Sequence, residues 1–487
     1  MTKDLQESFP ATVTFQKFRS TYFPHPGCEA EGATFARLGR PAGTPAVVTI
    51  QRLSVEAHYL DMLFRPGYVA RIVMQGFRAQ IPRLGTPLED TGWKETPSKT
   101  RIGSVIADGA VVEIARADSR EPLRFEIHAL KLGDVSRNEA MSYEVFMHNP
   151  LPPGDIRSSG KFGPWNSRDP GQTPVKGEYS FRHADLSVFE GLAGLLSSDD
   201  SFQGILQHIE ARGTIDIPDF MVKHSQHAVH VSSEFHALIN GTNGDVALDR
   251  VSASFLHTNV LAKADISGHA GEDGKTANVD LSVRDGRIQD VLLLFVREPK
   301  APLNGVTSFR AHVVIPPGER PFLEKVRLGG EFGIQEGQFV NSSTEASVEM
   351  LSERARGMKP DSTLDPQDQD RVISDLSGHV DLHNATANFS DLSFRVPGAH
   401  AQMHGTYNVE SKAIDLHGTL KTDAEFSQMT SGFKSVLLKP FNSLFQRKHH
   451  PGSRLAIHLL GTYDDPQAGV DLTGKRSHGG KAASGAN

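Results

Sequence analysis

Apolar and polar residues alternate with a period of two along most of this chain, the mark of strands that bury one face. The alternation has a recurring shape. From Gly244, Val246 and Leu248 are apolar, the phase slips by one residue, and Val251, Ala253 and Phe255 follow. From Gly378, Val380 and Leu382 precede the same slip, and Ala385, Ala387 and Phe389 follow at matching offsets. Looser copies start at Gly103, Gly213 and Gly330, the last carrying Phe332, Ile334, Gly337 and Phe339. Two more begin at Val48 and Ile72 without the glycine.

A one-residue slip turns every later side chain to the other face unless an extra residue is absorbed as a β-bulge. A tight turn at the same place makes a hairpin instead, and the sequence is compatible with both. Short strands with one apolar face must stack on neighbours to bury it. The expected fold class is therefore mainly β: an elongated, curled antiparallel sheet of repeated short strands forming an apolar groove, with a few short amphipathic helices. An ordinary β-sandwich alternates in the same way; the close repetition at Gly244 and Gly378 favours the repetitive form.

Helical spacing is confined to a few places. Val188-Leu192-Leu195-Leu196 and Phe202-Ile205-Leu206-Ile209 predict two short helices within Leu186 to Glu210. Phe433 to Phe445, interrupted by Pro440, is a third. The chain then divides into an N-terminal β-repeat region over 1–150 and a Pro/Gly-rich surface connection over 151–175. A central β-groove region follows over 176–351, with the helices near 186–210, and then a polar, mobile loop over 352–370. A C-terminal β region over 371–473, with its helix near 433–445, leads to a tail at 474–487 that lacks the apolar residues to order itself.

Composition narrows the function. At 487 residues the chain is longer than most single cores grow. Phe at 27 far outnumbers Tyr at 7 and Trp at 2, which places aromatic area where no polar tip is needed, in a dry interior or against something oily. A net charge of −7 without a basic stripe excludes nucleic acid as the expected partner. The lone Cys28 rules out an internal disulfide and a cysteine zinc site. The longest apolar run, Val291 to Val296, is far short of the ~20 residues a membrane span needs. Met1 to Pro10 lacks the layout of a signal peptide.

Chemistry is hard to find. In His224-Ser-Gln-His227-Ala-Val-His230, strand spacing puts His224 and His230 on one face and His227 on the other, with no carboxylate in the pattern, so surface histidines are expected. There is no nucleophile elbow, phosphate-binding loop or His-Glu-x-x-His. Asp464-Asp465 and the acidic residues from Asp365 to Asp370 lack the spacing of a calcium loop. No enzyme activity and no cofactor are expected.

The run from Gly160 to Trp165, the run from Pro174 to Phe181, and the stretches Ala184 to Leu186, Phe202 to Gly204 and Ile217 to Phe220 resemble the large AsmA-like proteins of bacterial envelopes. Asn243 to Leu248, Ile315 to Gly318, Leu328 to Phe332 with Phe339, Leu437 to Phe441 and Leu460 to Pro466 continue the likeness, which covers about Phe15 to Thr473 in scattered motifs. AsmA-like proteins are similar to TamB and to the bridge-like lipid transfer proteins. The resemblance implies a curled, apolar β-groove, tethered to the inner membrane and reaching into the periplasm. It also implies a role in phospholipid homeostasis or outer-membrane biogenesis. Partners would be phospholipids or other acyl lipids, a membrane at one or both ends, and envelope proteins. The family's N-terminal membrane helix is missing here; the abrupt opening at Ala11 to Phe15 suggests a start downstream of the true one, with a soluble variant as the alternative. Template positions Val246, Leu248, Val251, Phe255, Phe332, Phe339, Val380, Leu382 and Phe389 are the candidate groove lining. The same side chains simply packing on one another is the plainer expectation for any one of them. A structural or assembly scaffold binding protein partners without lipid is the alternative function.

Overall fold

The computed structural model describes residues 11–470 except 38–47, 82–99, 116–120, 137, 167, 190, 269–273, 319, 341, 357–373, 424–453 and 463–464. Of the described residues 70% are strand and 8% α-helix, so the fold is mainly β with short helices, as the periodicity predicts. The chain divides into two compact units, residues 1–281 with 314–321, and 282–313 with 322–487.

The first unit holds β1 (Ala11–Thr14), β2 (Lys17–Thr21), β3 (Gly27–Arg37), β4 (Val48–Glu56), β5 (Tyr68–Gln75), β6 (Arg78–Ile81), β7 (Arg101–Ile114), β8 (Leu123–Val135) and β9 (Met141–Pro150). It continues with β10 (Pro153–Phe162), β11 (Pro174–Asp185), β12 (Leu192–Ala193), β13 (Leu195–Ile205), β14 (His208–Val222), β15 (Ala228–Ile239), β16 (Val246–Phe255) and β17 (Thr258–Gly268). From β7 onward each long strand pairs antiparallel with the next. Both β5 and β6 pair with β4 antiparallel and with β7 in parallel. After β18 (Lys275–Arg287), the second unit builds an antiparallel meander on β19 (Leu303–Ile315), β20 (Arg327–Phe339), β21 (Ser374–His383), β22 (Thr386–Val396), β23 (Ala399–Asn408), β24 (Ala413–Thr422), β25 (Arg454–Thr462) and β26 (Asp465–Val470).

The phase slip takes both of its possible forms. In β16 the register against β17 shifts between Leu248 and Val251 while the strand continues, which is a bulge. Shifts fall at the same point of the template between Ile217 and Phe220 in β14 and between Ile334 and Gly337 in β20. β7 runs unbroken through Gly109 at φ 64°, and β5 and β6 keep one register on β7 across Gly76 at φ 60°. The copy at Gly378 is instead a hairpin. β21 ends at His383, Asn384 and Ala385 take φ 47° and 56°, and His383 pairs with Thr386 of β22. Two successive left-handed residues are what a type I′ hairpin turn requires.

Three expectations need correction. The predicted helices within 186–210 are a 3₁₀ turn at Leu186–Val188 followed by β12, β13 and the start of β14. Gly191 and Gly194, at φ 90° and 132°, break any helix there, and the Ser-Ser-Asp-Asp-Ser run favours backbone pairing on both sides over helix. The expected connection over 151–175 contains β10, paired along its length with β9 and β11, with Gly160 allowing the close approach of β11. The loop expected over 352–370 begins inside the helix Ser342–Ala355, whose Val348, Ser352 and Ala355 are buried. The rest of that loop, the predicted helix at 433–445 and the tail at 474–487 lie outside the described residues.

Candidate functional site

Cross-strand partners in a sheet point to the same face, so the register traces which side chains form a surface. In the first unit one such row runs Leu132, Tyr143, Gly160, Gly177, Phe202, Ala211, Ala237, Leu248 and Ala264 from β8 to β17. Through β7, β5, β4 and β3 it extends to Val105, Ile72, Val55 and Cys28. Every member is apolar or small except for the Tyr143 hydroxyl. One residue along, on the opposite face, the row reads Lys131, Glu144, Ser159, Glu178, Ser201, Arg212 and His236. There His236 stands between Glu210 at 2.9 Å and Asp249 at 2.6 Å, hydrogen bonds that raise its pKa. The sheet is oily on one side and charged on the other.

The second unit repeats the arrangement. Gly330, Val380, Phe389, Gly405, Leu416 and Leu459 form one row from β20 to β25. Phe332 pairs with Gly378, and its ring meets Phe389 edge-on at 6.2 Å across the space that glycine leaves. Helices cover part of this face: Ile288–Leu293 contributes Ile288, Val291 and Leu292 against Phe332 and Ile334. The helix Ser342–Ala355 sits over Val396, Ala399, Ala401 and Leu420, with Phe339 and Phe394 at its margin.

The candidate lining residues thus fall into two groups. Val246, Leu248, Val251 and Phe255 lie together on β16 in the first unit, on one face because the bulge restores the phase. In the second unit, Val380, Leu382, Phe389 and Phe332 are immediate neighbours on β20 to β22, whereas Phe339 belongs to the core beneath the long helix. Phe255 is buried; the other eight are half-buried. Larger apolar side chains are buried elsewhere, among them Ile50 and Ile217 in the first unit and Leu303, Leu420 and Leu455 in the second.

Polar groups interrupt the first unit's apolar face at one place the sequence did not reveal. Tyr143, Ser158, Tyr179, Ser198 and Asp200 cluster on β9 to β13, with Tyr143 3.2 Å from Ser158 and Tyr179 3.4 Å from Ser198. Asp200 is only 8% exposed; the Ser201 and Arg212 backbone and the Tyr179 hydroxyl lie near its carboxyl, yet none makes a hydrogen bond of ordinary geometry to either oxygen. Burial pushes its pKa up, and burial likewise raises Tyr179 and Tyr143. Leucines at helical spacing mask this group in the sequence; in a strand, Asp200 shares the face of Phe202 two residues on.

A depression of about 700 Å³ lies on the opposite face of β8 to β13. Lys131, Glu144, Ser159 and Glu178 wall one side and Phe146, Arg157, Ser180 and Asp199 the other, with the Arg157 guanidinium 4.2 Å from the Phe146 ring centre. Mixed charge of both signs gives it no evident selectivity. His230 does meet a carboxylate, Asp216 at 2.6 Å, contrary to the sequence pattern. No group of three metal-binding side chains converges, and no helix is long and apolar enough to cross a membrane, among the described residues. The chain matches no family model, no curated protein and no solved structure.

Proposed function

We propose that the apolar faces of the two units hold the acyl chains of phospholipids or similar lipids. On this reading the chain is a non-catalytic lipid-binding or lipid-conducting protein of the AsmA-like type, working at the bacterial cell envelope in outer-membrane lipid homeostasis. One observation carries the proposal: an apolar row lies along one face of each sheet, and eight of the nine candidate lining residues, Phe332 and Phe389 among them, are only half-buried. A closed sandwich buries its leucines and phenylalanines completely between layers. Half-covered apolar rows leave area for a guest, and each methylene that leaves water for such a face gains about 0.8 kcal/mol.

The test is lipid mass spectrometry on the full chain purified from cells without detergent. About one or more acyl lipids per chain are expected. Phe389→Glu and Leu248→Glu, each placing a charge on one unit's row, should each lower that ratio while leaving the fold's circular dichroism intact. Lipid-free protein that also fails to take up a soluble fluorescent fatty acid would leave the scaffold function in its place.

A further inference from the structure

Two segments at one end of the first unit expose apolar side chains far beyond what a strand edge requires. The tip between β2 and β3 carries Tyr22 and Phe23, 74% and 91% exposed. Beside it lies the helix Tyr59–Phe64, held there by the Ala57 amide donating to the Pro26 carbonyl at 2.8 Å and by the Tyr59 hydroxyl donating to the Tyr22 carbonyl. Leu60, Leu63 and Phe64 are 71%, 73% and 74% exposed.

The helix is turned inside out. Its only polar residue, Asp61, has a side chain just 21% exposed, where it meets His58 at 3.2 Å and Arg65 at 3.8 Å. At about 100° per residue, Tyr59, Leu60, Met62, Leu63 and Phe64 fan round the remaining circumference. A protein partner covers one side of a helix; apolar groups splayed round most of it fit a medium that surrounds them. Charge points the same way. Residues 17–26 and 58–68 contain Lys17, Arg19 and Arg65 against Asp61 alone, in a chain whose net charge is −7. Lys17 is paired with Glu31 and Arg65 stands 3.8 Å from Asp61, so Arg65, together with Arg19 opposite Glu29 on β3, places cations at the rim of the patch. Tyr22 and Tyr59 add the amphipathic rings favoured at headgroup depth.

We propose that this tip docks on an anionic lipid bilayer, inserting Phe23, Leu60, Leu63 and Phe64 below the headgroups with Arg19 and Arg65 at the phosphates. Its residues are distinct from those of the acyl-binding faces, so the two readings fail separately. The experiment is co-sedimentation of the full chain with vesicles of phosphatidylcholine, alone or with about 30% phosphatidylglycerol. The parent chain should sediment with the anionic vesicles, and a Phe23→Ser, Leu63→Ser, Phe64→Ser variant should bind at least about tenfold more weakly. All three side chains are exposed, so the variant's melting temperature should match the parent's, and its uptake of a soluble fluorescent fatty acid should be unchanged. In a Phe64→Trp variant, the added emission should shift blue and be quenched by brominated acyl chains. A parent chain left in the supernatant, a triple variant that sediments equally well, or an unquenched tryptophan would each overturn bilayer docking in favour of a protein-binding tip.

Discussion

A carboxyl group set in an apolar sheet face costs stability unless something satisfies it, and Asp200 is the clearest instance in this chain. It is 8% exposed, lies in the row position between Tyr179 and Gly213, and has a pKa raised by burial. Burial therefore makes ionisation of this carboxyl harder in the folded state than in the unfolded chain. Because the folded value lies above the unfolded one, stability is full below the ordinary carboxylate range and falls as pH rises through the raised value. Asp200→Asn keeps the shape and removes the ionisation. At about pH 8 the variant should be more stable than the parent, and at about pH 3 the difference should vanish. Urea unfolding at the two pH values checks this. A gain of the same size at both, or none at either, would mean that Asp200 has no raised titration in the folded chain.

At the scale of the element, the two closest copies of the template show what an apolar pattern encodes and what it leaves open. Both were legible as strands with a phase slip, yet one slip is a bulge and the other a hairpin. The difference lies in the residues at the slip: Arg250-Val251 in the first copy correspond to Asn384-Ala385 in the second. Asn is among the residues that accept the left-handed backbone of the turn, and Ala lacks the β-branching by which valine resists it most. Apolar periodicity ignores that distinction. It also misled at Leu186 to Glu210, where leucines spaced by three and four imitate a helix that Gly191 and Gly194 forbid. Composition misled at β10, because glycine there answers to strand approach. A Cβ on Gly160 would lie 2.1 Å from the Lys176 carbonyl oxygen and 2.6 Å from the Gly177 Cα, both backbone of β11. Gly160→Ala should therefore cost roughly 1–3 kcal/mol, as overpacking does. Gly333→Ala, whose Cβ meets nothing within 4 Å, should shift stability by no more than about 0.5 kcal/mol. Equal urea midpoints for the two variants would contradict the close approach of β10 and β11.

For the molecule as a whole, the two units share a property that neither composition nor any single strand displays: each keeps most of its candidate lining residues half-covered. The candidate rows were legible in sequence as template positions, but their partial burial was not, because a pattern records which face is apolar and not what covers it. That property has a thermodynamic consequence. An amphiphile that binds the folded faces and not the unfolded chain stabilises the fold by RT ln(1 + [L]/Kd), about 2.7 kcal/mol at a hundredfold excess over Kd. An amphiphile facing a sealed core finds apolar groups only after unfolding, and lowers the melting temperature instead. A monomeric single-chain lysophospholipid below its micelle concentration should thus raise the melting temperature of the full chain. The length of its acyl chain supplies the sharper measurement. At about 0.8 kcal/mol per buried methylene, each added carbon should tighten binding by roughly fourfold until the face is filled. A rise that does not depend on chain length would assign the binding to headgroup contacts, such as the charged depression beside Arg157, and a fall at every length would close the apolar faces to lipid.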